Sequence, residues 1–258
     1  MSWPDGYGRS IHDRLDSTNA EGLRRAAAGE AGPAWILARA QTAARGRRGR
    51  AWSMPEGNFA ASLLMLPGVS PAEAALRSFV AALALHDAFA AAVGQAERFS
   101  LKWPNDVLLD GGKLAGILLE TGGRPQGPLA LVIGFGVNLV ATPGAAELEP
   151  GAVATTTLAA AGPAPEPVAF LALLAAAYAR WETLFRTEGF APVRDAWLAR
   201  AARLGETVTA RLPGRVVEGR FETIDASGAL ILATETGRVR LPAADVHFPG
   251  EPTDASRD

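Results

Sequence analysis

The chain reads as an α+β main domain followed by a small all-β domain. Two observations predict this. Up to about residue 204, short apolar runs alternate with Ala/Leu-rich stretches of helical length. From Gly205 to Phe248 the chain is helix-poor, and short β-rich runs are spaced by turns. That pattern suits a small β-barrel of about 45 residues. The expected division is therefore 1–204, then 205–250, then a polar tail over 251–258 that is expected to be disordered. No internal repeat is evident.

Each element has its own signal. Ser10–Leu15 reads as a strand, and Asp16-Ser17-Thr18-Asn19 opens a helix. Thr18 and Glu21 have capping-box spacing, and Gly29 is the stop. Trp35–Gln41 and Asn58–Leu66 are apolar strands on either side of a loop. Pro71–Val93 is a long Ala/Leu-rich helix, and Ser100–Trp103 is a strand. Asp106–Glu120 holds two strands joined at Asp110-Gly111-Gly112, a strong hairpin signal. Leu129–Val140 is a buried strand ending in a Gly-rich turn, and Gly144–Gly151 is a loop. Glu166–Thr187 and Pro192–Arg203 are helices. Strands are expected at Thr207–Arg211, Gly219–Ile224, Ala229–Ala233 and Arg238–Leu241.

Composition narrows the function classes. At 258 residues and 48% hydrophobic, the chain can bury a sizeable core. It has no unbroken run of about 18 uncharged apolar residues, so no membrane partner is expected. Met1–Asp5 lacks the features of a signal peptide. Cysteine is absent, which excludes disulfides, thiolate metal sites and a Cys nucleophile. A soluble cytoplasmic protein follows as the expectation. The net charge of -2 argues against a broad nucleic-acid-binding surface.

Three segments and one helix start carry candidate chemistry. In Gln41–Trp52, Arg45, Arg47, Arg48 and Arg50 are interleaved with Gly46 and Gly49, and Trp52 closes the run. Arginine supplies fixed charge and forked donors, and glycine lets the backbone bend around a ligand. The segment reads either as an anion-binding loop or as a solvated loop or non-specific nucleic-acid contact. The second segment is Lys102-Trp103-Pro104-Asn105-Asp106, leading into Gly112-Lys113-Leu114-Ala115-Gly116-Ile117-Leu118-Leu119-Glu120. Lys113 begins an otherwise apolar strand, where a lysine is costly to bury unless it meets an anion. It reads equally as a solvent lysine beside a turn, and so does Lys102. Asn105-Asp106 is an ordinary Asx corner, or Asp106 holds Mg²⁺ directly or through water. The third segment is Gly134-Phe135-Gly136-Val137-Asn138, where alternating glycines permit close approach of a ligand or simply tight packing. Ser17, Thr18 and Asn19 are fully explained as helix caps, and anion or ureido-group binding there is the alternative reading.

Taken together and in this order, Asp-Ser-Thr-Asn, the Gln41–Trp52 loop, Lys-Trp-Pro-Asn-Asp, Gly-Lys-Leu-Ala-Gly-Ile-Leu-x-Glu and Gly-x-Gly-x-Asn resemble the biotin–protein ligase family. Gly219–Leu232 looks like that family's SH3-like C-terminal domain. The resemblance runs from about Ser10 to Phe248. It implies a class II aminoacyl-tRNA-synthetase-like (biotin–lipoate ligase) catalytic domain. It also implies two steps, formation of biotinyl-5′-AMP from biotin and ATP with Mg²⁺, then transfer of biotin to a lysine of a biotin carboxyl carrier protein domain of a biotin-dependent carboxylase. By resemblance, Lys113 stabilises the charge of the reacting anions and Arg47 guards the intermediate. Ser17, Thr18, Asn19, Gln41, Arg45, Gly46, Arg47, Lys113, Gly116 and Leu118 are implied at biotin. Arg48, Gly49, Arg50, Trp52, Asn105, Asp106 and Asn138 are implied at ATP and the adenylate, with Asp106 also at the metal.

Two departures from the family pattern matter. Ala44 stands where the loop usually has glycine, so a positive φ there would cost on the order of 1 kcal/mol. Near the chain end, Asp245-Val246-His247-Phe248 offers only His247 where relatives give the nucleotide a basic residue. Only about 15 residues precede Asp16, fewer than a helix-turn-helix domain needs, so the resemblance is to the enzyme-only type and no DNA partner is expected. A homodimer is plausible from the family. The competing readings are a lipoate– or octanoate–protein ligase, a non-catalytic biotin-binding regulator, and a nucleic-acid-binding protein using Arg45–Arg50.

Overall fold

The computed structural model describes residues 2–124, 126–144, 154–242 and 244–248. The expected loop Gly144–Gly151 falls outside these residues but for Gly144, and so does the tail over 251–258. Seven strands form the first sheet: β1 (Gly8–Leu15), β2 (Ala34–Gln41), β3 (Phe59–Met65), β4 (Phe99–Lys102), β5 (Asp106–Leu109), β6 (Gly112–Gly122) and β7 (Ala130–Val137). Their spatial order is β1-β2-β3-β7-β6-β5-β4. β1 and β2 run parallel, and every other neighbouring pair is antiparallel. The β5–β6 turn places Asp110 at φ 50 and Gly111 at φ 83. Two successive positive φ angles match the twist of a tight hairpin.

Strand alternation sorts the helices onto two faces. On β3 and β7, Ala61, Leu63, Met65, Leu131, Ile133 and Phe135 point into the main core. Leu64, Ala130 and Val132 point the other way, where Ala26 of α1 (Thr18–Ala28) meets them. On the main-core side, α3 (Arg77–Val93) and α4 (Pro167–Glu188) pack together beneath the sheet. By length and composition, residues 71–93 and 167–188 would suffice to cross a membrane. Here their apolar residues fill the common core instead. A buried ion pair ties the two helices, with Arg77 Nη2 2.7 Å from Glu182 Oε1.

Several boundaries differ from those read in the sequence. Ser17, not Thr18, caps α1, its hydroxyl accepting from the Ala20 N–H at 3.4 Å. Thr18 turns into a polar network instead. The expected helix Pro71–Val93 is two pieces, α2 (Pro71–Ala75) and α3, that meet at Leu76. The expected helix Pro192–Arg203 is α5 (Phe190–Leu198), starting earlier because a proline in the first turn lacks only an N–H that has no partner there anyway. Residues after α5 then pair with the edge of β4, the Leu101 N–H donating to the Arg200 carbonyl and the Ala202 N–H to that of Leu101.

The second sheet has five antiparallel strands in the order β11-β10-β9-β8-β12. They are β8 (Thr207–Leu212), β9 (Arg215–Ile224), β10 (Leu230–Thr234), β11 (Gly237–Leu241) and β12 (Asp245–His247). β12 was not expected, since three residues carry almost no periodicity. The sheet shares the main core: Phe221 lies 6.5 Å from Trp197 of α5, ring centre to ring centre. Trp103 Nε1 donates to the Gly228 carbonyl at 3.0 Å. β12 lies at the mouth of a cleft on the first sheet.

Candidate active site

A cleft of about 620 Å³ opens on the α1 face of the first sheet. The strand register explains why it is there. Ala60, Gly136, Gly116 and Asp106 stand side by side across β3, β7, β6 and β5, and Ser62, Gly134 and Leu118 form the next row. The glycines continue the face that Val132 covers further along β7, so the floor loses its side chains at that point. The Gly-x-Gly segment is therefore a floor left open, and two neighbours use the space. A β-carbon at Gly136 would come within 2.5 Å of Trp52, and one at Gly134 would overlap Asn19.

All the residues expected at the site line this cleft except Gly49, which is in the loop but does not face the cavity. One end is a hydrogen-bonding network of uncharged side chains at the start of α1, anchored on the Glu120 carboxylate. Gln41 Oε1 accepts from the Thr18 N–H at 2.8 Å, and Ser62 Oγ donates to Asn19 Oδ1 at 2.5 Å and lies 2.7 Å from Thr18 Oγ1. Asn19 Nδ2 donates to Glu120 Oε2 at 2.8 Å. Ser17, Thr18 and Asn19 are all buried. They are thus more than helix caps: they form a fixed wall of donors and acceptors.

The other end is cationic. Lys113 Nζ lies 2.9 Å from Asp106 Oδ1 and 5.8 Å from the centre of the Trp52 ring. Its backbone is clamped on both sides, donating to the Ala154 carbonyl and accepting from the Thr156 N–H. Arg45 pairs with Glu120 at 2.9 Å. Arg47 Nη1 donates to Asn105 Oδ1 at 3.2 Å, and Asn105 Nδ2 donates to the Ile117 carbonyl at 2.7 Å. Burial pushes the Arg47 guanidinium below its ordinary pKa, against the pull of Asp245 and Asp106. A cation stripped of water in this way gains from an anionic ligand. Asn138 is buried at the floor, its backbone paired with Leu114.

The loop itself is a small closed turn. Arg45 and Ala51 form an isolated antiparallel bridge, the Gly46 N–H donates to the Arg50 carbonyl at 2.7 Å, and the Trp52 N–H donates to that of Ala44 at 3.0 Å. Positive φ falls at Arg48 (56°) and Gly49 (74°), not at Ala44. Alanine in the usual glycine position therefore carries no backbone strain here.

Lys102, Asp245 and Arg211 line the cleft, and Ser62 lies buried beneath it, outside the sequence expectation. Lys102 is buried and its Nζ sits 4.3 Å over the Phe248 ring. Its place in the Lys-Trp-Pro-Asn-Asp run was the available signal. Ser62 hides in an apolar strand and is found only through register. Asp245 and Arg211 come from the second sheet, where they stand opposite each other on β12 and β8. Asp106 faces Lys113, and among the described residues no group of three or more His, Cys, Asp or Glu could hold a metal ion.

Known proteins resemble this chain over most of its length. Residues 12–138 match the model of the biotin/lipoate A/B protein ligase family, and residues 204–248 match the biotin protein ligase C terminal domain. A biotin–[acetyl-CoA-carboxylase] ligase of Paracoccus denitrificans is 55% identical over 238 residues, covering 92% of this chain and 99% of that protein. The protein of the same description from Mycobacterium tuberculosis is 36% identical over 241 residues, covering 89% and 85%. Among solved structures, a biotin protein ligase from Aquifex aeolicus in complex with biotin and ATP superposes with a TM-score of 0.78 at 23% identity, covering 93% of this chain and 97% of that one.

Proposed function

The chain belongs to the biotin/lipoate A/B protein ligase family, and from that premise we infer its reaction. It is an ATP-dependent biotin–protein ligase. In the first step a biotin carboxylate oxygen attacks the α-phosphorus of ATP, the bond to the bridging oxygen of the β-phosphate breaks, and pyrophosphate leaves. In the second, the amine of an acceptor lysine attacks the acyl carbon of biotinyl-5′-AMP, loses a proton, and expels AMP. The acceptor is a biotin carboxyl carrier domain of a carboxylase, and the reaction takes place in the cytoplasm.

The observation that carries this reading is the convergence of Lys113 and the loop arginines on one cleft with a side-chain-free floor. Both nucleophiles belong to substrates, so the protein supplies position, charge and exclusion of water. Three of the cations are matched to protein carboxylates: Lys113 to Asp106, Arg45 to Glu120, and Arg48 to Asp245. The carboxylate of biotin and the phosphates of ATP exchange with these partners. Lys113 meets the reacting anions, Arg47 meets the adenylate phosphate, and Trp52 covers the nucleotide. The neutral wall of Ser17, Thr18, Asn19 and Gln41 suits the uncharged ureido ring, with Gly116 and Leu118 beside it. Asn105 and Asn138 serve the nucleotide. Mg²⁺ enters with ATP as MgATP, and Asp106, released when Lys113 turns to the substrate anions, would be the carboxylate beside it. A homodimer, and no DNA partner, complete the proposal.

ATP–pyrophosphate exchange with Mg²⁺ tests it, with biotin, lipoate and octanoate compared as the acid. Exchange that depends on biotin alone is the expected result. Exchange with lipoate or octanoate instead moves the chain to the other branch of its family, and no exchange with any acid removes the catalytic reading.

A further inference from the structure

One carboxylate of the second sheet receives most of the Arg/Gly loop. Asp245 Oδ2 lies 2.8 Å from Arg48 Nη1 and 3.4 Å from Arg50 Nη2, and Oδ1 lies 3.7 Å from Arg47 Nη1. Arg47 Nη2 also approaches the neighbouring Ala244 carbonyl at 3.5 Å. The Asp245 side chain is 19% exposed, against 49% for Arg48 and 47% for Arg50. The arginines close over the acid, not the reverse. Two features of the loop require such a partner. Three like charges crowd into four residues and repel. Arg48 also adopts φ 56°, which a residue with a β-carbon enters only at a cost.

We infer that Asp245 is a positioning residue, a latch on the C-terminal domain that holds the Arg/Gly loop folded over the cleft. The inference rests on the adenylating function proposed above. The three arginines divide the work. Arg48 and Arg50 give their charge to Asp245 and fasten the loop. Arg47 is only loosely shared with that carboxylate, and its nearer acceptors, Asn105 Oδ1 and the Ala244 carbonyl, are neutral. Its charge is left for the substrate anion. The second sheet thus does more than pack against the first. It sets how long the loop stays shut, and hence how long a reactive acyl adenylate is kept from water and from bystander amines. Fastening a lid by ion pairs also makes it sensitive to ionic strength.

Limited trypsin digestion of the full-length, ligand-free chain tests this, because the loop arginines are themselves the cleavage sites and cleavage reports opening. Asp245→Asn is expected to speed loop cleavage roughly five- to tenfold and to flatten its salt dependence. It is also expected to shorten retention of biotinyl-AMP by a similar factor and to raise KM for MgATP more than it changes kcat of exchange. Arg48→Gln breaks the same pair from the loop side and leaves the second sheet untouched. It should speed cleavage similarly, and the double variant should be no faster, since both changes remove one interaction. Equal cleavage of the parent and both variants overturns the latch. So does faster cleavage in Asp245→Asn alone, which would point to damage in β12. Latch-dependent cleavage in a parent that makes no biotinyl-AMP would sink the proposed function while leaving the latch in place.

Discussion

Lys113 and Arg47 occupy the same cleft but have different partners, and their variants should fail differently. Lys113 is paired to Asp106 at 2.9 Å and its backbone is clamped on both sides. Lys113→Gln keeps the length and removes the charge that neutralises the reacting anions. Adenylation should fall about 10²- to 10³-fold, the range for losing one preorganised electrostatic contact, as measured by pyrophosphate exchange. Arg47→Gly should leave adenylation largely intact and release the intermediate. Labelling of bystander lysines by a protein carrying that change should rise, and unchanged labelling would remove Arg47 from the guarding role. Both residues were read from the chain as motif members. Their pairing was not: the bond from Arg47 to Asn105 spans 58 positions and leaves no trace in local pattern, and Asp106 reaches Lys113 only through the register of β5 on β6.

At the scale of elements, the floor of the cleft and the turn at Gly228 depend on missing side chains. Gly136→Ala would bring a methyl within 2.5 Å of Trp52, so the indole must leave the floor. A several-fold rise in KM for MgATP with a folded protein is the expected result, read by kinetics beside a thermal melt. Gly228 has φ 82°, and a β-carbon there would sit 2.8 Å from Phe79 of α3. Gly228→Ala should therefore destabilise the protein by about 1–3 kcal/mol, from strain plus overpacking, as measured by urea unfolding. The Gly-x-Gly pattern was visible in the sequence as either tight packing or ligand approach. The structure shows the tight packing: the bare row admits Trp52 and Asn19. The cap of α1 shows the opposite case, where the local rule favoured Thr18 but the network with Gln41 and Ser62 took Thr18 inward and left the cap to Ser17.

For the whole molecule, one core runs through both sheets, from Trp35 and Phe135 to Phe221 and Leu232. Heating should give a single cooperative transition in calorimetry, and two separated transitions would show that the second sheet melts alone. Asp225 supplies a pH test within that sheet. Burial pushes its carboxyl up, but hydrogen bonds from Ser227, Arg240 and the Ala229 and Ser227 N–H groups outweigh it and hold the pKa at about 2. A carboxylate depressed on folding adds stability above its unfolded pKa of about 4. That stability is lost as the pH falls from about 4 to about 2. The stability gap between the parent and Asp225→Asn should accordingly be constant near neutrality and close over that window.

The sequence alone carried the kinds of element, their order and the chemistry of the motifs. These depend on local terms: a period of two or near four, turn residues at Asp110-Gly111, and charge and glycine packed into Gln41–Trp52. The tertiary structure decided which groups meet. Register across four strands lined up Gly136, Gly116 and Asp106 into a floor. Docking of the second sheet on Trp103 and Trp197 carried the three-residue strand β12, and with it Asp245, to the Arg/Gly loop. Such contacts follow from the packing of whole faces against one another, and no short window of residues encodes where a face will land.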